Sequence, residues 1–262
     1  MILAANLSML FNEHDFLDRF DQAASAGFTA VEYLFPYDFD RQVTKEKLSA
    51  NNLTQALFNA PPGDWDVGER GIASIVGRED EFKEGIEQAL KYALVIGNKR
   101  VHVMAGLVSE DTDMKMVREC YVNNLRYAAD VFAPHGIQVL VEPINNLDMP
   151  GYFLNYQEDA CDLIEAIGKD NVRLQFDVYH CQMMQGNVVA TFKKIFKFID
   201  HVQVAGVPNR HEIHQCEINY AYIFSAMKKM GYQGYVGCEY MPSAQTVDGM
   251  PQLFELWRSV CS

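Results

Sequence analysis

The chain has 262 residues, 49% of them hydrophobic and 22% charged, a length that suits one α/β barrel of about 250 residues and a composition that excludes a disordered chain. Its 35 acidic and 22 basic residues give a formal charge of −13, and the basic residues cluster only in short pairs such as Lys193-Lys194, so no nucleic-acid partner is expected. Six cysteines without a C-x-x-C pair, no signal-like N-terminus and no apolar run near the roughly 18 residues of a membrane span predict a reduced, cytoplasmic setting without membrane insertion.

In chain order, short β-branched or aromatic runs alternate with segments of helical period, the pattern of βα units around a parallel sheet. A strand is predicted at residues 2–6, a helix at 15–26, strands at 30–33 and 54–59, and a helix at 80–96. A strand follows at 100–104, then a helix at 113–135, a strand at 138–142 and a helix at 157–167. The chain closes with a strand at 173–177, a helix at 189–198, a strand at 201–204, a helix at 219–230 and a strand at 235–239. Gly27, Gly97, Gly136, Gly168 and Gly231 stand just after helical patterns, where a left-handed cap favours glycine. Eight strands and no linker predict a single-domain (β/α)₈ TIM barrel over residues 1–262. The long segments 60–77 and 143–156 are read as functional loops.

The last positions of the predicted strands are Asn6, Glu32, Asn59, His102, Glu142, Asp177, Gln203 and Glu239. Parallel barrel strands are buried on both faces, so a polar residue there is costly unless it is paired or bound to a metal. Strand C-termini line the active-site mouth of such barrels, so a ring of polar ends reads as a site. Glu142, Asp177, Gln203 and Glu239 form a hard oxygen set suited to Mg²⁺ or Mn²⁺. A hydrogen-bonded carboxylate cluster with raised pKa values is the other reading.

At these residues the chain resembles the hydroxypyruvate isomerase family, within the xylose isomerase-like TIM barrels. The resemblance runs over nearly the whole chain, through Ala5-Asn-Leu-Ser-Met-Leu-Phe11, Phe35-Pro-Tyr37, Gly63-Asp-Trp65, Gly68-Glu-Arg-Gly71 and Gly77-Arg-Glu79. It continues in Glu142-Pro-Ile-Asn145, Pro150-Gly151, Glu217-Ile-Asn-Tyr220 and Gly237-Cys-Glu-Tyr240. It implies interconversion of hydroxypyruvate and tartronate semialdehyde without a nucleotide cofactor, with Glu142 and Glu239 as proton donor and acceptor through an enediolate. Isomerisation of a 2-oxo-tetronate or epimerisation of a ketose on the same two glutamates is the alternative. A metal-dependent apurinic-site endonuclease and a non-catalytic binding barrel are more distant ones.

Two departures stand out. Related epimerases carry histidine where Gln203 stands, which implies a metal held loosely or optionally. The family's Glu-Tyr-Lys-Pro run here reads Glu239-Tyr-Met241-Pro, so a cation near the catalytic carboxylate is missing. A carboxylate substrate needs a cation, and Arg70, first, and Arg210 are the candidates, with anchoring of their own loops through Glu69 or Glu212 as the structural reading. His180, three residues after Asp177, is expected to face the metal or a substrate oxygen if a helical turn starts there. His102 and Asn6 complete the substrate-binding candidates, and His201 is read as structural. Trp65 and Phe35 are read as a water-excluding wall or as loop anchors, and Cys181 is not read as a nucleophile. The expected partner is a small hydroxy-carbonyl acid, and a homo-oligomer stays open.

Overall fold

The structure, a computed structural model, describes residues 1–109 and 111–261. Eight parallel strands pair in sequence order and close into a barrel: β1 (Ile2–Asn6), β2 (Ala30–Glu32), β3 (Thr54–Asn59), β4 (Arg100–His102), β5 (Gln138–Val141), β6 (Val172–Asp177), β7 (Ile199–Val204) and β8 (Tyr235–Cys238). The α-helices around it are α1 (Arg19–Ala26), α2 (Arg41–Ala50), α3 (Glu79–Ile96), α4 (Met114–Phe132), α5 (Gln157–Ile167), α6 (Val178–Met184), α7 (Val188–Ile195), α8 (Tyr220–Lys229) and α9 (Thr246–Cys261). The expected TIM barrel is therefore the observed one.

The helices form for local reasons. In α3, Glu79, Asp80 and Glu81 oppose the helix dipole in the first turn. Phe82, Ile86, Ala89, Ala93 and Ile96 recur on one face and are buried, and Gly97 ends the helix at φ 76°. The long predicted helices 113–135 and 189–198 each finish in a 3₁₀ turn, Ala133–His135 and Phe196–Phe198. The segment predicted as a helix at 15–26 opens with another, Phe16–Asp18.

The interior changes character along the barrel axis. Ala4, Ala30 and Ala56 form a small apolar cluster with Tyr235. Two residues further along β1 and β2, on the same face, stand Asn6 and Glu32. At the strand N-termini, Arg100 of β4 pairs with Asp200 of β7 at 2.6 Å and lies over the Tyr235 ring of β8, closing that end. Chemistry is left to the opposite, C-terminal mouth. There the loops interlock through short bridges, Gly71 with Ala105, Leu107 with Tyr152 and Gly206 with His211. All six cysteines are free, and among the described residues no helix is long and apolar enough to cross a membrane.

Candidate active site

Glu142 follows β5, Asp177 ends β6, and Glu239 follows β8. Asp177 also caps α6: its Oδ1 accepts from the backbone N–H groups of Tyr179 at 2.6 Å and His180 at 3.3 Å, which starts a helix directly at the strand end. His180 is thereby brought back over Asp177. One donor atom from each of Glu142, Asp177, His180 and Glu239 lies within 4.8 Å of the others, and all four residues are buried.

Burial, reinforced by the charges of Glu239 and Asp177, pushes the Glu142 carboxyl well above the usual carboxylate range. Burial also raises Asp177 and Glu239, with Arg210 pulling both part of the way back. Glu142 Oε1 and Asp177 Oδ2 are buried without a hydrogen-bond partner. Orphaned acceptors of this kind are costly in a finished protein interior and suit a bound cation or a substrate hydroxyl.

His180 is fixed in one tautomer by its neighbour Asn145. The Asn145 Oδ1 accepts from the backbone N–H groups of Leu147 and Asp148, at 3.1 and 2.8 Å, so the other end of the amide is the NH₂ group. That group donates to Asp148 Oδ2 at 3.1 Å and lies 2.7 Å from His180 Nδ1. Nδ1 must accept, and the hydrogen of the neutral ring sits on Nε2. Burial holds the ring neutral, pushing its pKa well below the usual value. Nε2, 3.7 Å from Asp177 Oδ2 and 4.0 Å from Glu142 Oε1, is therefore a hydrogen-bond donor aimed at the site rather than a lone pair for a metal.

Gln203 carries an amide oxygen on the same side of the barrel as Asp177. It is the registered neighbour of Asp177 on one side and Gly237 on the other, so its side chain faces the way of Asp177. Its Nε2 donates to Glu32 Oε1 at 2.8 Å and its Oε1 accepts from Gln175 at 2.6 Å, leaving one lone pair on that oxygen. Three carboxylates and this amide oxygen fit a hard divalent cation.

Arg210 reaches the site. Its Nη2 donates to Glu239 Oε2 at 2.7 Å, its Nη1 is 4.0 Å from Asp148 Oδ2, and its Nε is buried without a partner. The loop-anchoring alternative through Glu212 is not what the side chain does, because Glu212 accepts from Ser243 instead. Arg70 corrects the expectation made for it. Its guanidinium lies 3.9 Å from the Trp65 ring centroid, its Nη1 donates to the carbonyls of Trp65 and Glu69, and it does not line the cavity that Arg210 enters. Asn6 also differs: Oδ1 accepts from Ser8, and Nδ2 donates to Glu32 and Glu239, both at 3.1 Å. With every polar atom engaged, it supports Glu239 and has no hydrogen left for a substrate.

His102 lines the cavity. Its Nδ1 is 3.6 Å from Glu142 Oε2, its Nε2 has no partner, and burial lowers its pKa to about 3, so it is a neutral ring. The cavity itself is about 120 Å³, bounded by the polar Asn59, His102, Glu142, His180, Arg210 and Glu239 and by the apolar Met9, Leu34, Trp65, Met104, Ile144 and Met149. Trp65, Met9 and Leu34 also border an outer vestibule of about 380 Å³, together with Phe35 and Met241. Met9, Leu34 and Trp65 are thus shared by chamber and vestibule, with Phe35 against Trp65 at 4.9 Å between ring centroids.

Asn145, Asp148, Tyr179 and Gln175 are site residues that sequence reasoning missed. The signal available for the first two was Asn145-Asn-Leu-Asp148, an Asx-turn pattern in a long loop.

Residues 20–259 match the family model of the xylose isomerase-like TIM barrels. The chain belongs to this family. Within it, the barrel is 53% identical over 247 residues to a 2-oxo-tetronate isomerase of Cupriavidus necator, covering 94% of this chain and 95% of the relative. It is 43% identical over 247 residues to a hydroxypyruvate isomerase of Escherichia coli, covering 94% and 96%. A solved Brucella melitensis structure described as an AP endonuclease of family 2 superposes with a TM-score of 0.95 at 49% identity, covering 97% of this chain and 99% of that one. The resemblance read from the motifs is thus the observed kinship.

Proposed function

We propose that this xylose isomerase-like barrel isomerises short 3-hydroxy-2-oxo acids, moving the carbonyl between C2 and C3. Hydroxypyruvate, which becomes tartronate semialdehyde, is the three-carbon substrate, and a 2-oxo-tetronate is the next longer one. The observation that carries this reading is a small cavity lined by Glu142 and Glu239, each with a raised pKa, and bordered by the donors of Arg210 and His180.

Either glutamate, as carboxylate, removes the proton from C3. The C–H electron pair becomes the C2–C3 double bond and the carbonyl pair moves to the C2 oxygen, giving an enediolate. The other glutamate, as acid, returns a proton to C2, while the hydroxyl proton on the C3 oxygen passes to the C2 oxygen and leaves a carbonyl at C3. Carboxyls raised toward neutrality suit both directions of this transfer. The His180 Nε2–H donates to the developing oxygen, and the unpaired N–H groups of Arg210 take the substrate carboxylate. A Mg²⁺ or Mn²⁺ ion held by Glu142, Asp177, Gln203 and Glu239 would supply positive charge beside the enediolate oxygens. Trp65 and the methionines keep water from the intermediate.

The nuclease description of the Brucella relative would require a phosphodiester strand to reach these carboxylates. A formal charge of −13 and a chamber of about 120 Å³ bordered by Trp65 favour a small acid instead. Free, mostly buried cysteines suit a reducing cytoplasm.

Initial rates on hydroxypyruvate, 2-oxo-tetronates, free ketoses and abasic DNA, with Mn²⁺ and with chelator, test the reading. Turnover of a 3-hydroxy-2-oxo acid is expected, with Glu142→Gln and Glu239→Gln each losing about 10²–10⁴-fold in kcat. Turnover confined to ketoses or DNA, or full activity in both variants, would overturn it.

A further inference from the structure

Beneath the site lies a carboxylate that the proposed reaction does not use. Glu32 is fully buried at the end of β2 and is met by three side chains from two other strands, β1 and β7. Its Oε1 accepts from Asn6 Nδ2 at 3.1 Å and from Gln203 Nε2 at 2.8 Å, and its Oε2 lies 2.7 Å from His201 Nε2. The side chain crosses the interior to the far strands: a Cβ added at Gly237 on β8 would overlap both of its oxygens. Position 237 is the registered neighbour of Gln203, so the missing side chain leaves room for the Glu32 carboxylate beside β7 and β8. Burying a carboxylate costs several kcal/mol unless its bonds are made, and an apolar pair of equal volume would fill a barrel interior at no such cost.

The use of Glu32 lies in the polarity it imposes on two amides. A carboxylate accepts hydrogen bonds, so only the NH₂ ends of Asn6 and Gln203 can face it. With that end of Asn6 fixed, its second N–H points at Glu239 Oε1 at 3.1 Å. With that end of Gln203 fixed, its oxygen is turned the other way, on the side of Asp177 and Gln175. We infer that Glu32, braced by His201, is the positioning residue of the site: through Asn6 it aims the Glu239 carboxylate, and through Gln203 it presents an amide oxygen to a divalent cation. The inference rests on the reading of Glu239 and the carboxylate cluster given above. It also assigns a task to His201, read from the sequence as merely structural.

Both amides share Glu32 Oε1, so Glu32→Gln keeps shape but either turns its NH₂ group on both of them or, keeping its oxygen there, sets that NH₂ against His201 Nε2; either way the brace is broken. In the full-length protein the variant is expected to stay folded, to lose about 10–100-fold in kcat with KM within about twofold of wild type, and to bind Mn²⁺ about 10–100-fold more weakly in calorimetry. A lowered melting temperature with wild-type kcat per folded molecule and wild-type Mn²⁺ affinity would mean that Glu32 only holds the barrel together, and would overturn the inference. If Glu32→Gln does not fold, Asn6→Ala decides, since it removes the link to Glu239 while Glu32 keeps Gln203 and His201. A fall in kcat is expected there too, and wild-type kcat would overturn it. Glu239→Gln, measured in parallel, separates the two levels: full activity in it refutes the proton-transfer reading. Mn²⁺ affinity in Glu32→Gln is read without turnover and stands or falls by itself.

Discussion

Arg210 sits at φ 57°, a backbone conformation uncommon for a residue with a side chain and one that tends to be retained where function needs it. The turn sends the guanidinium inward, where Glu239 takes one N–H and Asp148 and the Tyr179 ring flank the rest. Arginine matters here because its planar fork can hold Glu239 with one nitrogen and a substrate carboxylate with another. Lysine has one nitrogen on a flexible stem. Arg210→Lys is therefore expected to lower kcat/KM by about 10–100-fold, the value of one charge-assisted hydrogen bond, mostly through KM. Steady-state kinetics on hydroxypyruvate check this, and an unchanged KM would remove Arg210 from carboxylate binding. Arg70→Lys, at a residue stacked on Trp65 and away from the site cavity, is expected to change KM far less.

At the scale of elements, the loop after β5 and the helix after β6 act as one device. Asn145 in the loop fixes which nitrogen of His180 in α6 carries the hydrogen. Asn145→Asp keeps the oxygen that the Leu147 and Asp148 amides need, yet replaces the NH₂ donor with an acceptor. Against only the long 3.4 Å donation that the backbone N–H of residue 145 still makes to Nδ1, the His180 hydrogen should then move to Nδ1, turning an Nε2 lone pair toward Asp177 and Glu142. A wrong tautomer at a proton-handling site costs on the order of 10²-fold or more in kcat. Nitrogen NMR of the imidazole together with kcat is the check: the Nε2–H tautomer persisting in the variant would refute the assignment. The place of His180 beside the site was legible in the sequence, but the contact with Asn145 that sets its tautomer was not, since it depends on the loop after β5 folding against α6. The strands themselves were legible, because apolar runs ending in a polar residue announce both the barrel and its mouth. Helix α2 was not, as its Arg41–Ala50 sequence buries only Thr44 and Leu48, and α9 was hidden by Gly249 and an internal Pro251. Glu32 was legible as a strand end, but its reach across the interior to Gly237 follows from barrel closure. Arg70 and Arg210 looked alike as loop cations; only the turn at Arg210 separates them.

For the whole molecule, the carboxylate ring makes stability a function of pH and metal. In the metal-free protein Glu142, Asp177 and Glu239 have pKa values raised by burial. A group whose folded pKa lies above its unfolded value binds its proton more tightly when folded. Its stabilisation is thus full below the unfolded value and is lost as pH rises through the folded one. His102 runs the other way: lowered by burial from 6.5 to about 3, it favours the fold above 6.5 and loses that contribution as pH falls toward 3. The metal-free barrel should therefore be most stable at mildly acid pH, between these two losses, and weaken toward pH 8. A divalent cation reverses the alkaline loss, because it takes the place of the protons on the three carboxylates and competes with them less well in acid. At about 100 times its dissociation constant it should stabilise the fold by about 2.7 kcal/mol, which for a chain of this size raises the melting temperature by roughly 5–10 °C. Thermal melts with Mn²⁺ and with chelator, near pH 5.5 and near pH 8, measure this directly. The larger increment is expected at the higher pH, and Glu32→Gln should reduce it there. Equal melting temperatures with and without Mn²⁺ at both pH values, beside undiminished turnover in chelator, would mean that the carboxylates work as a hydrogen-bonded cluster and that the cation has no part in the site.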